Sequence, residues 1–400
     1  MQKKMMILGA SELQIPAIRK AKELGYQIIL VDYNEKAAGF PLADVKLVVS
    51  TLDQEEVYRQ ALIYQPDVVI TSTSDGPVRT AAYVNEKLGK KPDLSYEDSL
   101  CATIKSHMRN RLRENQVPIP DYYAVQNFEE FKAAVEALKG CCIVKPADNA
   151  GSRGVTALDG DQFQNEEILR CTYEYSRENS RNGTVMVEEL MSGPEVSVEA
   201  MTVDGKTTIL TITDKFITPP PYFVEIAHSE PSSLSEDIQE SIRQVALQAI
   251  AAIRLQNGPS HTEIKVTKEG PKIVELAARL GGDFITSKLV PLSTGVDMVG
   301  ASVLLATGEN VDLEKKFQKG SAIHFIQGQE GVIKSIEIDD ALYRLKGVEE
   351  VVIYKKAGDT VNKTKSSNDR LGHIITVGDN AQKALETGRR GLELVSVEFE

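Results

Sequence analysis

The first 93 residues alternate short apolar runs with amphipathic helical spacing, and that alternation restricts the fold sharply. Met6–Leu8 is apolar, Ile15–Leu24 repeats at helical spacing, and Ile28–Val31 is a second buried run ending at Asp32. Val45–Val49, a helix over Gln54–Tyr64 and the run Val68–Thr71 continue the series. Strands that alternate with helices predict a parallel, doubly wound α/β sheet. The phosphate-binding position of such a sheet is its first strand–helix turn, here Gly9-Ala10-Ser11. The G-x-G-x-x-G fingerprint is missing there, so a tight turn is expected.

From about residue 94 the pattern becomes mixed. A polar helix over Tyr96–Glu114 should stop at Val117-Pro118-Ile119-Pro120. A strand (Tyr122–Val125), a helix (Phe128–Lys139) and a strong strand (Cys141–Lys145) follow. Residues 186–214 and 261–276 read as strand-rich, with helices at Ser235–Leu255 and Asp297–Ala306. After about 311 come short strands (Ser321–Ile326, Gly331–Ile338, Val348–Tyr354, His373–Val377) and a helix around Asn380–Gly391. Three units result: 1–93, 94–310 and a small α+β section, 311–400.

Composition narrows the function class. Four hundred residues, 42% of them hydrophobic, give core enough for two or three domains. The apolar runs fall far short of the roughly 20 residues that span a bilayer. Lys3 and Lys4 precede an apolar run that ends in a turn, which reads as a strand and not as a signal peptide. A net charge of −12 argues against nucleic-acid or membrane partners, although local basic residues can still gather a small anion. Cys101, Cys141, Cys142 and Cys171 fit no metal spacing, so reduced thiols and a cytoplasmic location are expected.

Three segments carry chemistry. Val144-Lys145-Pro146 ends a buried strand, and Asp148-Asn149-Ala150-Gly151-Ser152-Arg153-Gly154-Val155 follows it. A lysine before a glycine–serine loop offers a point charge and a nest of backbone N–H groups to a triphosphate; the bland alternative is a hairpin turn. Val185–Met191 then runs into Gly193-Pro194-Glu195. Its apolar residues and exposed backbone suit an adenine ring, and Glu195 suits ribose hydroxyls, against the alternative of a solvated acidic turn. Finally, His261–Thr267 and Pro271–Glu275 read as a β-hairpin with a three-residue loop and Gly270 in the left-handed position. That register sets Glu263 opposite Glu275, where two carboxylates repel unless a cation such as Mg²⁺ lies between them. A slip of one residue would make them two surface acids. Arg279 comes four residues after Glu275, before Gly281-Gly282, and could stabilise charge on a transferring group or form a salt bridge.

Taken in order, Lys105, Val144-Lys145-Pro146, Gly151-Ser152-Arg153-Gly154, Glu188 to Glu195, Glu263 to Glu275 and Arg279 resemble the ATP-grasp superfamily over roughly residues 94–310. Residues 220–228 (PPYFVEIAH) and 275–282 (ELAARLGG) look most like the L-amino-acid (dipeptide) ligase branch. The resemblance implies an N-terminal pre-ATP-grasp domain, a two-lobed ATP-grasp body with a lid lobe at about 120–185, and an ADP-forming carboxylate–amine ligase working through an acyl phosphate. It further implies Lys105 and Lys145 on ATP phosphates, a closing lid loop, and Glu188, Glu189, Leu190 and Met191 as the adenine hinge. Glu195 would hold ribose, and Glu263 and Glu275 would hold Mg²⁺, with Mn²⁺ as the alternative. Arg279 and the Gly282 backbone would stabilise the tetrahedral intermediate, and Glu225 and His228 would line the amino-acid pocket. Many relatives carry E-x-N-x-R at the second acid, whereas Ala277 stands here in place of the asparagine, which leaves the number of metal ions open. Small-molecule carboxylate and amine substrates are the expected partners, and a homodimer stays open. The rival readings are a purine-pathway ligase acting on a phosphoribosylamine and a nucleotide-binding regulatory protein without chemistry.

Overall fold

A computed structural model of the chain describes residues 2–90, 93–149, 153–219, 223–364 and 366–400. Gly151 and Ser152 of the glycine–serine loop, and residues 220–222, lie outside the described residues.

Strands β1 (Lys4–Leu8), β2 (Gln27–Asp32), β3 (Val45–Val48) and β4 (Val68–Thr71) form the N-terminal sheet in the order β3-β2-β1-β4, with every pair parallel. Both faces are covered, so these strands read as continuous apolar runs. Met5, Ile7, Ile28 and Leu30 pack on one side, and Met6, Leu8, Ile29 and Val31 on the other. A helix over Gly76–Lys87 follows β4.

The expected helix Tyr96–Glu114 is broken into Tyr96–Cys101 and Lys105–Glu114. Ile104 is extended between them, at a stretch where β-branched Thr103 and Ile104 disfavour helix. The break has a use, because the Lys105 N–H can then donate to the Ala147 carbonyl at 2.7 Å. That bond ties the start of the second helix to the end of the strand that precedes the glycine–serine loop.

Strands β5 (Tyr122–Val125), β6 (Cys142–Pro146), β7 (Thr156–Leu158) and β8 (Val185–Glu189) make an antiparallel sheet, ordered β5-β8-β6-β7. Helices Phe128–Ala137 and Glu166–Glu178 cover it through Phe131, Val135, Leu169 and Tyr173. The second helix, capped by the Asn165 side chain on the Glu167 and Ile168 N–H groups, has no counterpart in the sequence reading.

The body is an eight-stranded sheet. It takes in β9 (Glu195–Val203), β10 (Lys206–Ile217), β11 (Glu225–Glu230), β12 (Gly258–Thr267), β13 (Gly270–Ala277), β14 (Gly320–Ile326), β16 (Val348–Ile353) and β18 (Gly372–Gly378). The order is β13-β12-β9-β10-β11-β14-β18-β16, so strands on both sides of residue 311 share one sheet. A small sheet, β17-β15-β19 (Thr360–Val361, Gly331–Ile338, Val395–Phe399), adds a terminal strand that the sequence reading lacks. Alternation sorts the faces of β9. Val196, Val198 and Ala200 pack against helix Glu236–Ala252, while Glu195, Ser197 and Glu199 point the other way. No single helix among the described residues is long and apolar enough to cross a membrane.

Candidate active site

The small antiparallel sheet folds over the edge of the body and leaves a cleft of about 940 Å³. Lys105, Lys145, Arg153, Glu188, Glu189, Leu190, Met191, Glu195, Glu225, Glu263 and Glu275 all line it. Two glycines make this geometry feasible. Gly193 has φ +129, and a Cβ there would lie 2.0 Å from the Val266 carbonyl oxygen, so only glycine allows the link between β8 and β9 to cross the hairpin. Gly154 has φ +77, and a Cβ would stand 2.6 Å from the Asn179 Cβ, so the backbone passes close to Asn179 there.

Glu188 belongs to the floor of the cleft and not to a hinge. It is 1% exposed and takes a fork from Arg109, with Nε at 2.8 Å and Nη2 at 2.9 Å, while Lys145 Nζ lies 2.7 Å from Oε2. Arg109 also donates to the Ile273 and Val274 carbonyls, which clamps the small sheet to β13. Burial acts to raise the Glu188 carboxyl, but the Arg109 and Lys145 charges outweigh it and hold the pKa at about 2. Burial lowers the Lys145 ammonium against the pull of Glu188. The sequence reading missed Arg109, yet a signal existed: it lies four residues after Lys105, on the face that carries buried Met108 and Leu112. Of the remaining hinge residues, the Leu190 N–H is taken by the Cys141 carbonyl at 3.2 Å, and Glu189 pairs with Lys272 at 3.1 Å.

Glu195 is likewise occupied on both oxygens, by Lys215 Nζ and Lys265 Nζ at 2.7 Å each. Lys215, with a side chain 4% exposed, is a hub that also meets Glu263 Oε1 at 2.9 Å and Glu225 Oε1 at 3.7 Å. Nothing local in the sequence signals it, because its partners come from three other strands.

Glu263 and Glu275 are paired across the hairpin. Among the described residues, every bond of Glu263 falls on Oε1 (Lys215, and His261 Nε2 at 3.4 Å), and the bond of Glu275 falls on Oε1 (Lys105 Nζ, 2.8 Å). The second oxygen of each remains for a cation. No group of three His, Cys, Asp or Glu among the described residues could hold a metal alone. Two carboxylates therefore fit a Mg²⁺ whose other ligands are phosphate oxygens and water. Behind Glu263, His261 Nδ1 lies 2.6 Å from the fully buried Glu199. Burial works against its charge, but Glu199 raises the imidazole to about 9, so it stands as an imidazolium between two glutamates.

Two further expected placements change. Arg279 lines neither the cleft nor the larger cavity beside it, because its Nε donates to Asp75 Oδ1 at 2.7 Å and Nη1 to the Leu280 carbonyl. His228 is 1% exposed and faces Asp283 Oδ2 at 3.2 Å, and it is not among the residues that line the cleft. Glu225 does line the cleft, but Arg370 from the C-terminal section already holds it, with Nη2 3.2 Å from Oε2. Gly282 has open space around it.

The larger cavity, of about 1,710 Å³, opens between the carboxyl ends of the N-terminal strands and Asp148, Asn149 and Arg153. Ser11, Thr73, Ser74, Arg79, Arg181 and Asn368 are among its walls, and it meets the cleft at Lys105, Asn149, Arg153 and Glu275.

Comparison with known proteins bears on the domains and the fold. Residues 138–287 match the ATP-grasp domain family, and residues 324–400 match L-amino acid ligase C-terminal domain 2. The chain is 24% identical to the L-arginine-specific L-amino acid ligase of Bacillus subtilis, over 78% of this chain and 75% of that protein. It is 27% identical to protein y4rH of Sinorhizobium fredii over 73% of its own length, and it spans 60% of that relative. The crystal structure of an L-amino acid ligase from Bacillus licheniformis superposes with a TM-score of 0.84, at 19% identity and full coverage of both chains. The chain thus carries an ATP-grasp domain followed by an L-amino acid ligase C-terminal domain 2, on a fold that it shares with a solved L-amino acid ligase.

Proposed function

We propose that the protein uses ATP to join the carboxylate of an amino acid to an amine. The carrying observation is the junction of two cavities at Lys105 and Glu275, which lets a nucleotide phosphate in the cleft meet a substrate in the second cavity. The substrate carboxylate attacks the γ-phosphorus and ADP leaves; the amine then attacks the acyl carbon and phosphate leaves. Lys105 and Lys145 would offset charge on the transferring phosphoryl group. Mg²⁺ held by Glu263 and Glu275 would neutralise phosphate charge at the same place. The lining of the second cavity supports a substrate that carries an anion. Asp32, Asp75, Asp148 and Glu275 are all engaged there by backbone N–H groups, Arg279, residues 180–182 and Lys105 respectively. Arg79 has no such partner among the described residues, so a carboxylate can approach it.

An unpaired arginine would also suit the phosphate of a phosphoribosylamine, and this second reading is tested alongside. Amino acids, singly and in pairs, and a phosphorylated amine with glycine are incubated with ATP and Mg²⁺, and ADP is measured. Amino-acid-dependent ADP supports the ligase reading. ADP formed only with the phosphorylated amine supports the second reading, and ADP formed with neither removes both.

A further inference from the structure

Asp283 and Phe284 are consecutive non-glycine residues in the left-handed region, with φ +51 and +61. An aspartate tolerates this conformation, but for a bulky phenylalanine it is an outlier that persists only where surrounding structure enforces it. The pair directly follows Gly281-Gly282 and leads into one turn of π-helix, Ile285–Leu289. Irregular turns of this kind collect at functional sites.

What enforces the turn comes from the far end of the chain. Arg370 forks onto Asp283, with Nη1 2.7 Å from Oδ1 and Nη2 2.9 Å from Oδ2. The same Nη2 donates to the Glu225 carbonyl at 3.0 Å. The guanidinium lies 3.6 Å from the centre of the Phe325 ring, and the residue is 4% exposed. The Phe284 ring in turn lies 4.6 Å from that of His373. Two residues of the C-terminal section, Arg370 and His373, therefore grip the two strained positions, and Phe325 backs the Arg370 guanidinium. Burial alone would favour a neutral Asp283, but Arg370 and then His228 keep it ionised.

We propose that Arg370 is a positioning residue of the ligase site: its fork on Asp283 holds the left-handed turn, and its contacts with Glu225 hold that glutamate in the wall of the cleft. The inference rests on the cleft that Glu225 lines being the reacting site of the proposed ligase. Arg370 itself touches no reacting group. Lysine cannot take its place, because one ammonium cannot span both carboxylate oxygens in the plane of the fork.

Arg370→Ala and Arg370→Lys are compared with the wild type in the full chain. Because a misplacement of an ångström costs about 100-fold in rate, kcat for amino-acid-dependent ADP formation should fall between about 10- and 100-fold in both variants. The KM for ATP should change by less than about twofold, since the nucleotide contacts are untouched. Added guanidinium ion should restore part of the loss in Arg370→Ala. Backbone amides of residues 281–286 should exchange faster in both variants while the rest of the chain is unchanged. If the alanine variant loosens throughout, Arg370→Lys, which keeps the charge, decides between the outcomes. The exchange measurement needs no turnover: a wild type without ligase activity removes the ligase reading alone. Unchanged exchange at 281–286, or kcat within about twofold of an active wild type, overturns the role of Arg370.

Discussion

Glu263 and Glu275 stand directly opposite each other because Val274 is an extra residue on one side of their hairpin. The pairs run Thr267–Gly270, Val266–Pro271, Lys265–Lys272 and Ile264–Ile273, and the next pair is Glu263–Glu275. The loop is therefore Lys268-Glu269 alone, and the bulge makes up the missing residue before the acids are reached. Without the bulge, Glu263 would oppose Val274 and the two carboxylates would face opposite sides of the sheet.

Glu275→Gln keeps the shape and removes one charge, which weakens the cation site and leaves buried Lys105 without its counterion. Turnover should fall by roughly two orders of magnitude, with a raised requirement for Mg²⁺. Steady-state rates across a Mg²⁺ titration check this, and near-normal turnover at ordinary Mg²⁺ would remove Glu275 from the ion.

Lys215→Met leaves Glu195, Glu225 and Glu263 facing one another without the cation that joins them. Removing one partner of a buried ion cluster costs about 3–5 kcal/mol, so the Tm should drop. Mg²⁺ should then raise the Tm of the variant more than that of the wild type, because the divalent ion replaces the missing charge. Equal Mg²⁺ shifts in differential scanning fluorimetry would speak against Glu263 as a ligand.

Glu188→Gln tests the buried clamp through acid stability. The folded carboxyl titrates at about 2 and an ordinary one at 4.5, so the stability it contributes is complete above 4.5 and lost as the pH falls through 2. The variant should lose about 3–5 kcal/mol at neutral pH, since Arg109 and Lys145 remain charged and buried. Its urea midpoint should also fall less steeply than that of the wild type as the solution is acidified between those two values.

Glu230 behaves in the opposite sense. Burial, only partly offset by hydrogen bonds from Ser293 and Thr213, raises its carboxyl to about 8. The folded state keeps a proton that the unfolded chain releases near 4.5, so stability is highest below that value and declines as the pH rises to about 8. Glu230→Gln should flatten this decline and be the more stable form, by more than about 1 kcal/mol, at pH values above 8. Parallel melting curves across the range decide it.

The N-terminal sheet was legible because its rules are local: apolar runs at strand length, separated by helical spacing. The lining of the cleft was legible in part for the same reason, since Lys145, Glu189 and Glu263 lie on or beside strands whose period is visible. The pairing of Glu263 with Glu275 was reached through a loop one residue too long, an error that the Val274 bulge cancels. Arg279, His228 and Glu188 were placed by order along the chain, and order says nothing about which buried charge will capture them. Asp75, Asp283 and Arg109 do so from 204, 55 and 79 residues away in sequence. Lys215 and Arg370 were invisible because their meaning lies wholly in such distant partners.

The eight-stranded sheet has a consequence for how such chains can be recombined. Because β11 bonds to β14 and β14 to β18, a cut near residue 311 would bare the edge of β11, which becomes a template for any passing strand. The ATP-grasp and C-terminal segments are therefore not interchangeable cassettes. A chimera that imports residues 324–400 from a relative must bring a β14 that fits Glu225–Glu230 and an arginine that meets Asp283. Otherwise the foreign tail will dissociate from the body or aggregate with it, however well each piece suits its own parent.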